Sequence, residues 1–258
     1  MTELDELKNF ACRLALSVQP MIIKAQAEKN FKTQVKKDAS PVTDIDRAAE
    51  KIIRAKIEKR YPKHAILGEE YGKKELTSAA YTWVIDPIDG TKSFVAGVPL
   101  FGTLLALLRE GKPILGIINL PMQKELFCGD GKSAQLNGKP IHVAAETKLS
   151  EALLLTTDLN DVARLQNEEN FSTLRKKSKL FRTWGDCFGY TLVARGVPCV
   201  MCDPEMNPWD LLPLIPVIEG AGGKITSWEG KPAATAHDSL AATPKLHAAA
   251  KKILTAKS

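Results

Sequence analysis

Trp83-Val84-Ile85-Asp86-Pro87-Ile88-Asp89-Gly90-Thr91 is the stretch on which the reading of this chain turns. A buried apolar run delivers Asp86 to the carboxyl end of a strand, where ligands gather in α/β sheets. Pro87 has no amide hydrogen and interrupts the strand ladder. The turn that follows can bring Asp86 and Asp89 toward one point and leave the Ile88 carbonyl free. Hard oxygen donors of this kind suit Mg2+. Gly90-Thr91-Lys92-Ser93 then opens the next segment with exposed amides, and a helix N-terminus is a seat for phosphate. A bare Asp-x-x-Asp more often caps a turn or a helix, but the full string is far more specific.

Other acids fall at comparable places. Gly68-Glu69-Glu70 follows the short apolar run Ala65-Ile66-Leu67, and Trp209-Asp210 opens an apolar helical segment. Asp210 also suits the dipole of a helix first turn, which is its plainer reading.

Working outward, the spacing of Leu4, Leu7, Ala11, Leu14, Ala15 and Val18 predicts a helix capped by Thr2 with Asp5 and stopped or kinked near Pro20. Residues 29–43 read as a lysine-rich loop. A second helix is expected from Thr43 or Asp44 to Tyr61-Pro62. Strands follow at 65–67, 83–85, 101–108, 113–120 and 124–128, with a meander over 133–143 turning at Asn137-Gly138. The polar stretch Ala144–Ser150 marks a boundary inside one catalytic domain, 1–258, between an N-terminal half (1–145) with most metal ligands and a C-terminal half (146–258) that completes the site. Strands at 151–157, 179–183, 197–202 and 224–228 alternate with helices at 160–177, 186–195, 208–219 and 244–255. The alternation argues for layered α/β architecture.

With 258 residues, 44% hydrophobic and 26% charged, the composition is that of an ordinary soluble domain. No apolar run is long enough to span a bilayer, and the acidic N-terminus does not read as a signal peptide. Five cysteines are an odd count in a chain this long, so a reducing cytoplasm is expected rather than a disulfide framework. Cys199 and Cys202 have a redox spacing, but three residues apart on a strand they face opposite sides. The four histidines show no ligand spacing and are expected at the surface or in loops. The net charge of +6 reads as a lysine-rich surface with some steering of an anionic substrate, and nothing interleaves aromatic and basic residues as nucleic-acid stacking requires. No G-x-S-x-G elbow, H-E-x-x-H helix or phosphate loop of the G-x-x-x-x-G-K-[ST] type offers a competing chemistry.

Taken together, Val42-Thr43-Asp44-Ile45-Asp46, Gly68-Glu69-Glu70, Trp83 through Thr91, and Pro208-Trp209-Asp210 with Glu219-Gly220-Ala221-Gly222-Gly223 resemble the inositol monophosphatase superfamily of Mg2+-dependent phosphatases. The resemblance implies a five-layered αβαβα sandwich and usually a homodimer. It implies that Glu69, Asp86, the Ile88 carbonyl, Asp89 and Asp210 hold two or three Mg2+ ions. It further implies that Thr91 and Asp46, with Glu69, orient and activate the attacking water, and that the Gly90 and Thr91 amides hold the phosphate. Glu70 and Asp44 are as readily capping or supporting residues. Pro213 fits a helix first turn, whereas Pro216 should bend the helix that carries Asp210.

Within that superfamily the chain most resembles the histidinol-phosphatase branch. The strings carrying this are Phe94 with Gly97–Leu104, Arg182–Tyr190, and Asn207–Asp210 with Leu214-Ile215-Pro216. Histidinol phosphate carries an ammonium and an imidazole beside its phosphate, and carboxylates facing that end would make charge-assisted hydrogen bonds. Asp186 and Asp203 are the candidates, with Glu205 weaker. Arg182 would contact substrate in its own or a neighbouring subunit. Asp186 as a helix cap and Asp203 as a turn residue are the plainer alternatives. Other substrates open at this point are inositol 1-phosphate and sugar phosphates. A further possibility is a relative that binds RNA or transcription machinery, as the positive charge permits.

Overall fold

In the computed structural model, which describes residues 2–36, 41–74 and 79–256, the strand Tyr81–Asp89 lies inside an eight-stranded sheet. The order across that sheet is Lys139–Pro140, Ala134–Leu136, Glu125–Gly129, Lys112–Leu120, Gly102–Arg109, Tyr81–Asp89, Ala65–Gly68 and Gly72–Lys74. A second sheet has the order Leu180–Arg182, Leu153–Leu155, Cys199–Asp203, Ser239–Ala242 and Lys224–Thr226.

The strands read as continuous apolar runs because both faces of each sheet are covered. Trp83 and Ile85 point to one side of the large sheet, against Leu7, Ala11, Leu14, Ile53 and Ile57 of the helices Glu3–Leu16 and Asp44–Arg60. Val84, Leu104, Ala106 and Ile118 point to the other side, against Tyr190 and Val193 of Asp186–Ala194 and Val217 and Ile218 of Leu214–Gly220. Those same helices meet Leu155, Met201 and Ala241 of the second sheet. Its far face, with Leu154, Val200, Leu240 and Ala242, is closed by Glu168–Lys177 and Pro244–Leu254. The layers are thus helix, sheet, helix, sheet, helix, and the expected αβαβα sandwich is what the chain forms.

Several local expectations are corrected. The segment read as a loop over 29–43 carries two short strands, Thr33–Val35 and Pro41–Thr43, paired antiparallel; residues 37–40 lie outside the described residues. Helix continues past the expected stop near Pro20, because Pro20 sits at the start of a second helix, Gln19–Glu28, where its missing N–H is not needed. The helix read over 160–177 is two helices, Leu159–Leu165 and Glu168–Lys177. Gln166 is extended there, and the Asn167 side chain accepts from the Asn170 amide at 2.9 Å to cap the second. The helix read over 208–219 is likewise split into Pro208–Leu211 and Leu214–Gly220. Pro213 begins the second piece, and Pro216 falls in its first turn, where no intrahelical N–H bond is lost.

Only 134–136 and 139–140 of the expected meander are strand, joined by Asn137 and Gly138 at φ 50° and 79°. The strand Ser239–Ala242 escaped the reading because its small residues lack strand-forming character. His247 is buried, with its ring nitrogen 2.8 Å from Thr226 Oγ1, rather than at the surface. Cys199 and Cys202 pack into different core layers, and all five cysteines are free thiols.

Candidate active site

The two strand aspartates converge because the ladder slips between them. Asp86 pairs with Leu104 and Asp89 with Gly102, so two residues, Pro87 and Ile88, stand opposite Thr103 alone. In a regular strand, residues three apart face opposite sides. A bulge with one extra residue cancels that alternation and turns both carboxylates the same way. The Thr103 hydroxyl donates to the Pro87 carbonyl at 2.9 Å and fixes the bulge, while Asp86 Oδ1 accepts the Ile88 amide at 3.0 Å.

Glu69 and Asp210 are brought in from elsewhere. The strand Ala65–Gly68 runs parallel to Tyr81–Asp89 with Gly68 beside Ile85, so Glu69 emerges beside Asp86, its amide bonded to the Ile85 carbonyl at 3.1 Å. Asp210 sits in the first turn of Pro208–Leu211, where its Oδ2 accepts the Asn207 amide at 2.9 Å. Ligand-capable oxygens of Asp86, Asp89 and Asp210 lie within 4.8 Å of one another.

Burial of so many acids raises their pKa values. Asp86 and Asp89 are held well above the usual carboxylate range, first by burial and then by neighbouring carboxylates, Glu69 for Asp86 and Asp186 for Asp89. Asp210 is raised by burial as well, opposed by the hydrogen bonds it accepts. Glu69 is pushed up to about 7 by burial, although the Lys36 ammonium pulls it down. A cluster that resists ionisation unless positive charge arrives, built from oxygen donors alone, fits a hard divalent cation.

Thr91 and Asp46 also meet. Asp46 is completely buried at the start of Asp44–Arg60, and its Oδ2 accepts from the amide and hydroxyl of Thr43 in a reciprocal cap. Its Oδ1 lies 3.3 Å from the Thr91 hydroxyl, which is also 3.0 Å from the Ile88 carbonyl oxygen. Gly90, at φ 84°, permits the approach of the Leu100 carbonyl and the Asp186 carboxylate, which would stand 2.9 and 3.1 Å from any Cβ placed there.

Two cavities open onto these groups. The larger, about 600 Å3, is lined by Lys36, Glu69, Asp86, Asp89, Thr91 and Asp210 among others. A smaller one, about 100 Å3, is walled by Asp158, Asp161, Asp186, Asp203 and Glu205. Asp186 lines both. Among the described residues its carboxylate has no hydrogen-bond partner, and burial together with the charges of Asp203 and Asp210 pushes it up to about 7. Asp203, by contrast, is buried and already accepts from Thr156, Thr157 and Tyr190. Arg182 does not reach the cavities: its side chain is exposed, lies over the Trp184 ring and donates to its neighbour's carbonyl.

Residues that the sequence did not single out complete the site. Lys36, read only as part of a surface run, binds Glu69 at 2.7 Å and Glu70 at 2.6 Å. Glu50 accepts from the Glu70 amide at 2.7 Å, the Tyr71 amide at 3.2 Å and Arg54 at 2.6 Å, so it holds the turn that presents Glu69. Its i,i+4 spacing to Arg54 was the available signal. The Cys187 amide donates to Asp89 Oδ2 at 2.5 Å, a backbone contact that no side-chain pattern announces.

The model of the inositol monophosphatase family matches residues 3–257. The chain is 44% identical over 234 residues to the chloroplastic bifunctional phosphatase IMPL2 of Arabidopsis thaliana, covering 89% of this chain and 66% of that protein. It is 36% identical over 223 residues to a histidinol-phosphatase of Chlorobaculum parvum, covering 86% of each. Among solved structures, the extragenic suppressor protein suhB of Bartonella henselae superposes with a TM-score of 0.90 at 23% identity, covering 98% of this chain and 100% of that one, a likeness of fold.

Proposed function

The chain belongs to the inositol monophosphatase family of phosphatases, and on that footing we propose that it is a Mg2+-dependent phosphomonoesterase acting on L-histidinol phosphate to give L-histidinol and phosphate. The observation that carries the substrate reading is the Asp186 carboxylate, unpartnered among the described residues and exposed to both cavities. A neutral polyol needs no second set of acids beside the metal carboxylates. A substrate whose alcohol part bears an ammonium and an imidazole does, because it supplies the charge that an isolated buried carboxylate lacks.

Glu69, Asp86, the Ile88 carbonyl, Asp89 and Asp210 would hold the Mg2+ ions. Bound there, Mg2+ supplies Lewis-acid polarisation of the phosphoryl group and lowers the pKa of water. The chain's own contribution is proton handling and orientation. The Thr91 hydroxyl has one proton for two acceptors, Asp46 and the Ile88 carbonyl. When it donates to Asp46, its oxygen is left to accept a proton from water in the cleft. Burial raises the pKa of Asp46, which makes it a better base than an exposed aspartate. No side chain in the cleft is placed as a competing nucleophile with its own base, so direct attack by water is the reading proposed, with phosphate and alcohol as the only products.

A panel of phosphate esters tests the substrate. Histidinol phosphate should show the highest kcat/KM, ahead of inositol 1-phosphate and glycerol phosphate. Asp186→Asn should raise KM for histidinol phosphate by about tenfold or more, the worth of one charge-assisted bond, and affect inositol 1-phosphate less. Faster turnover of inositol 1-phosphate by the unaltered chain would defeat the histidinol reading.

A further inference from the structure

Asp186 stands in a backbone conformation that aspartate seldom adopts. Its φ is 48°, in the left-handed region, at the first residue of Asp186–Ala194. A non-glycine residue stays there only where its surroundings over-determine it. The constraint comes from Thr157. The Asp186 amide donates to Thr157 Oγ1 at 2.9 Å. The preceding Gly185 lies so close to Thr157 that a Cβ on it would stand 2.3 Å from that oxygen.

Thr157 is itself fixed. It follows the strand Leu153–Leu155, which runs parallel between Leu180–Arg182 and Cys199–Asp203. Its amide donates to Asp203 Oδ1 at 2.7 Å, and the Thr156 hydroxyl donates to the same oxygen at 3.3 Å. Asp203 Oδ2 accepts from the Tyr190 hydroxyl at 2.9 Å. Tyr190 lies four residues after Asp186 on the same helix, so the contacts form a closed ring: Asp186, Thr157, Asp203, Tyr190 and back along one helical turn. Trp228 anchors the ring by donating to the Asp203 carbonyl at 3.1 Å.

We infer that Thr157 is a specificity-determining positioning residue, and that Asp203 acts through it rather than on substrate: the ring holds Asp186 in its left-handed turn and so aims its carboxylate at the cationic part of the phosphate ester. The inference rests on the reading of Asp186 as the group that receives that cation. It departs from the expectation that Asp203 touches substrate, because the oxygens of Asp203 are occupied by Thr156, Thr157 and Tyr190.

The test is Thr157→Val, which keeps the shape and removes the acceptor, beside Thr157→Ser, which restores it. Three constants are measured: KM for histidinol phosphate, the inhibition constant of histidinol and the inhibition constant of inorganic phosphate. In Thr157→Val the first two should rise about tenfold, the worth of one well-placed hydrogen bond, while inhibition by phosphate shifts less than about twofold. Thr157→Ser should return all three to within about threefold of the starting protein. Should Thr157→Val fail to fold, Tyr190→Phe removes one donor to Asp203 from outside the cavities and should move the histidinol constants the same way, by about threefold. Unchanged histidinol constants in a folded variant, or equal losses for histidinol and phosphate, would overturn the role of Thr157. An unaltered chain that does not turn over histidinol phosphate would instead overturn the substrate reading, and this inference with it.

Discussion

Asp89→Asn should lower phosphate release by about three orders of magnitude while leaving the metal-free protein more stable, not less. The loss of activity follows from removing one anionic oxygen from a three-carboxylate cluster whose members lie within 4.8 Å. The gain in stability follows from the same crowding. A carboxyl whose pKa is raised on folding binds its proton more tightly folded than unfolded, so the fold loses stability as pH rises from the ordinary carboxylate range through the raised value. Asp86 and Asp89 are raised well above that range, and Glu69 is pushed up to about 7. At pH 8 without metal the folded chain therefore carries mutual repulsion that asparagine relieves, while the Cys187 amide keeps an oxygen to donate to. Relief of about 1 kcal/mol would raise the melting temperature by about 2–4 °C. At pH 5, where the cluster holds its protons, the difference should close. Melting curves at the two pH values, taken with chelator, check this. A variant less stable than the starting protein at pH 8 would show that Asp89 is a structural cap and not part of a strained anionic cluster.

Thr91→Ala should retain metal binding and lose turnover by about a hundredfold or more, the lower end of what a positioned proton acceptor contributes. The hydroxyl bridges the Ile88 carbonyl at 3.0 Å and Asp46 at 3.3 Å, and Asp46 has no other access to the cleft because its second oxygen caps its own helix. Removing the hydroxyl therefore disconnects the only base in this arm of the site. Thr91→Ser should recover most of the activity, since it restores the oxygen. Mn2+ binding followed by electron paramagnetic resonance separates the two roles: affinity should be nearly unchanged in Thr91→Ala. Turnover of Thr91→Ala equal to that of the starting protein would remove Thr91 and Asp46 from the proton path.

What could be read from the sequence was what is encoded locally. The string from Trp83 to Thr91 carries its own geometry, because Pro87 disrupts the ladder and Gly90 permits the left-handed turn at φ 84°. Apolar runs buried on both faces announced the layers. Contacts that depend on distant segments did not show. Lys36 looks like surface charge until the arm that carries it folds over Glu69 and Glu70. Thr157 lies at the end of an unremarkable strand, and its meaning comes from Gly185 and Asp203, far along the chain. Arg182 and Asp203 show the opposite case. Their residue types suit a cationic phosphate ester, yet one stacks on Trp184 in solvent and the other is consumed by internal donors. The broken helices have a similar cause, since period alone cannot register a cap such as Asn167 or the start set by Pro213.

The most direct test is phosphate release from histidinol phosphate after exhaustive chelation, followed by stepwise return of Mg2+. The account predicts no release above background in the chelated protein and a saturable recovery as Mg2+ returns, absent in Asp89→Asn. A chelated chain that turns over as fast as the Mg2+-loaded one would contradict it.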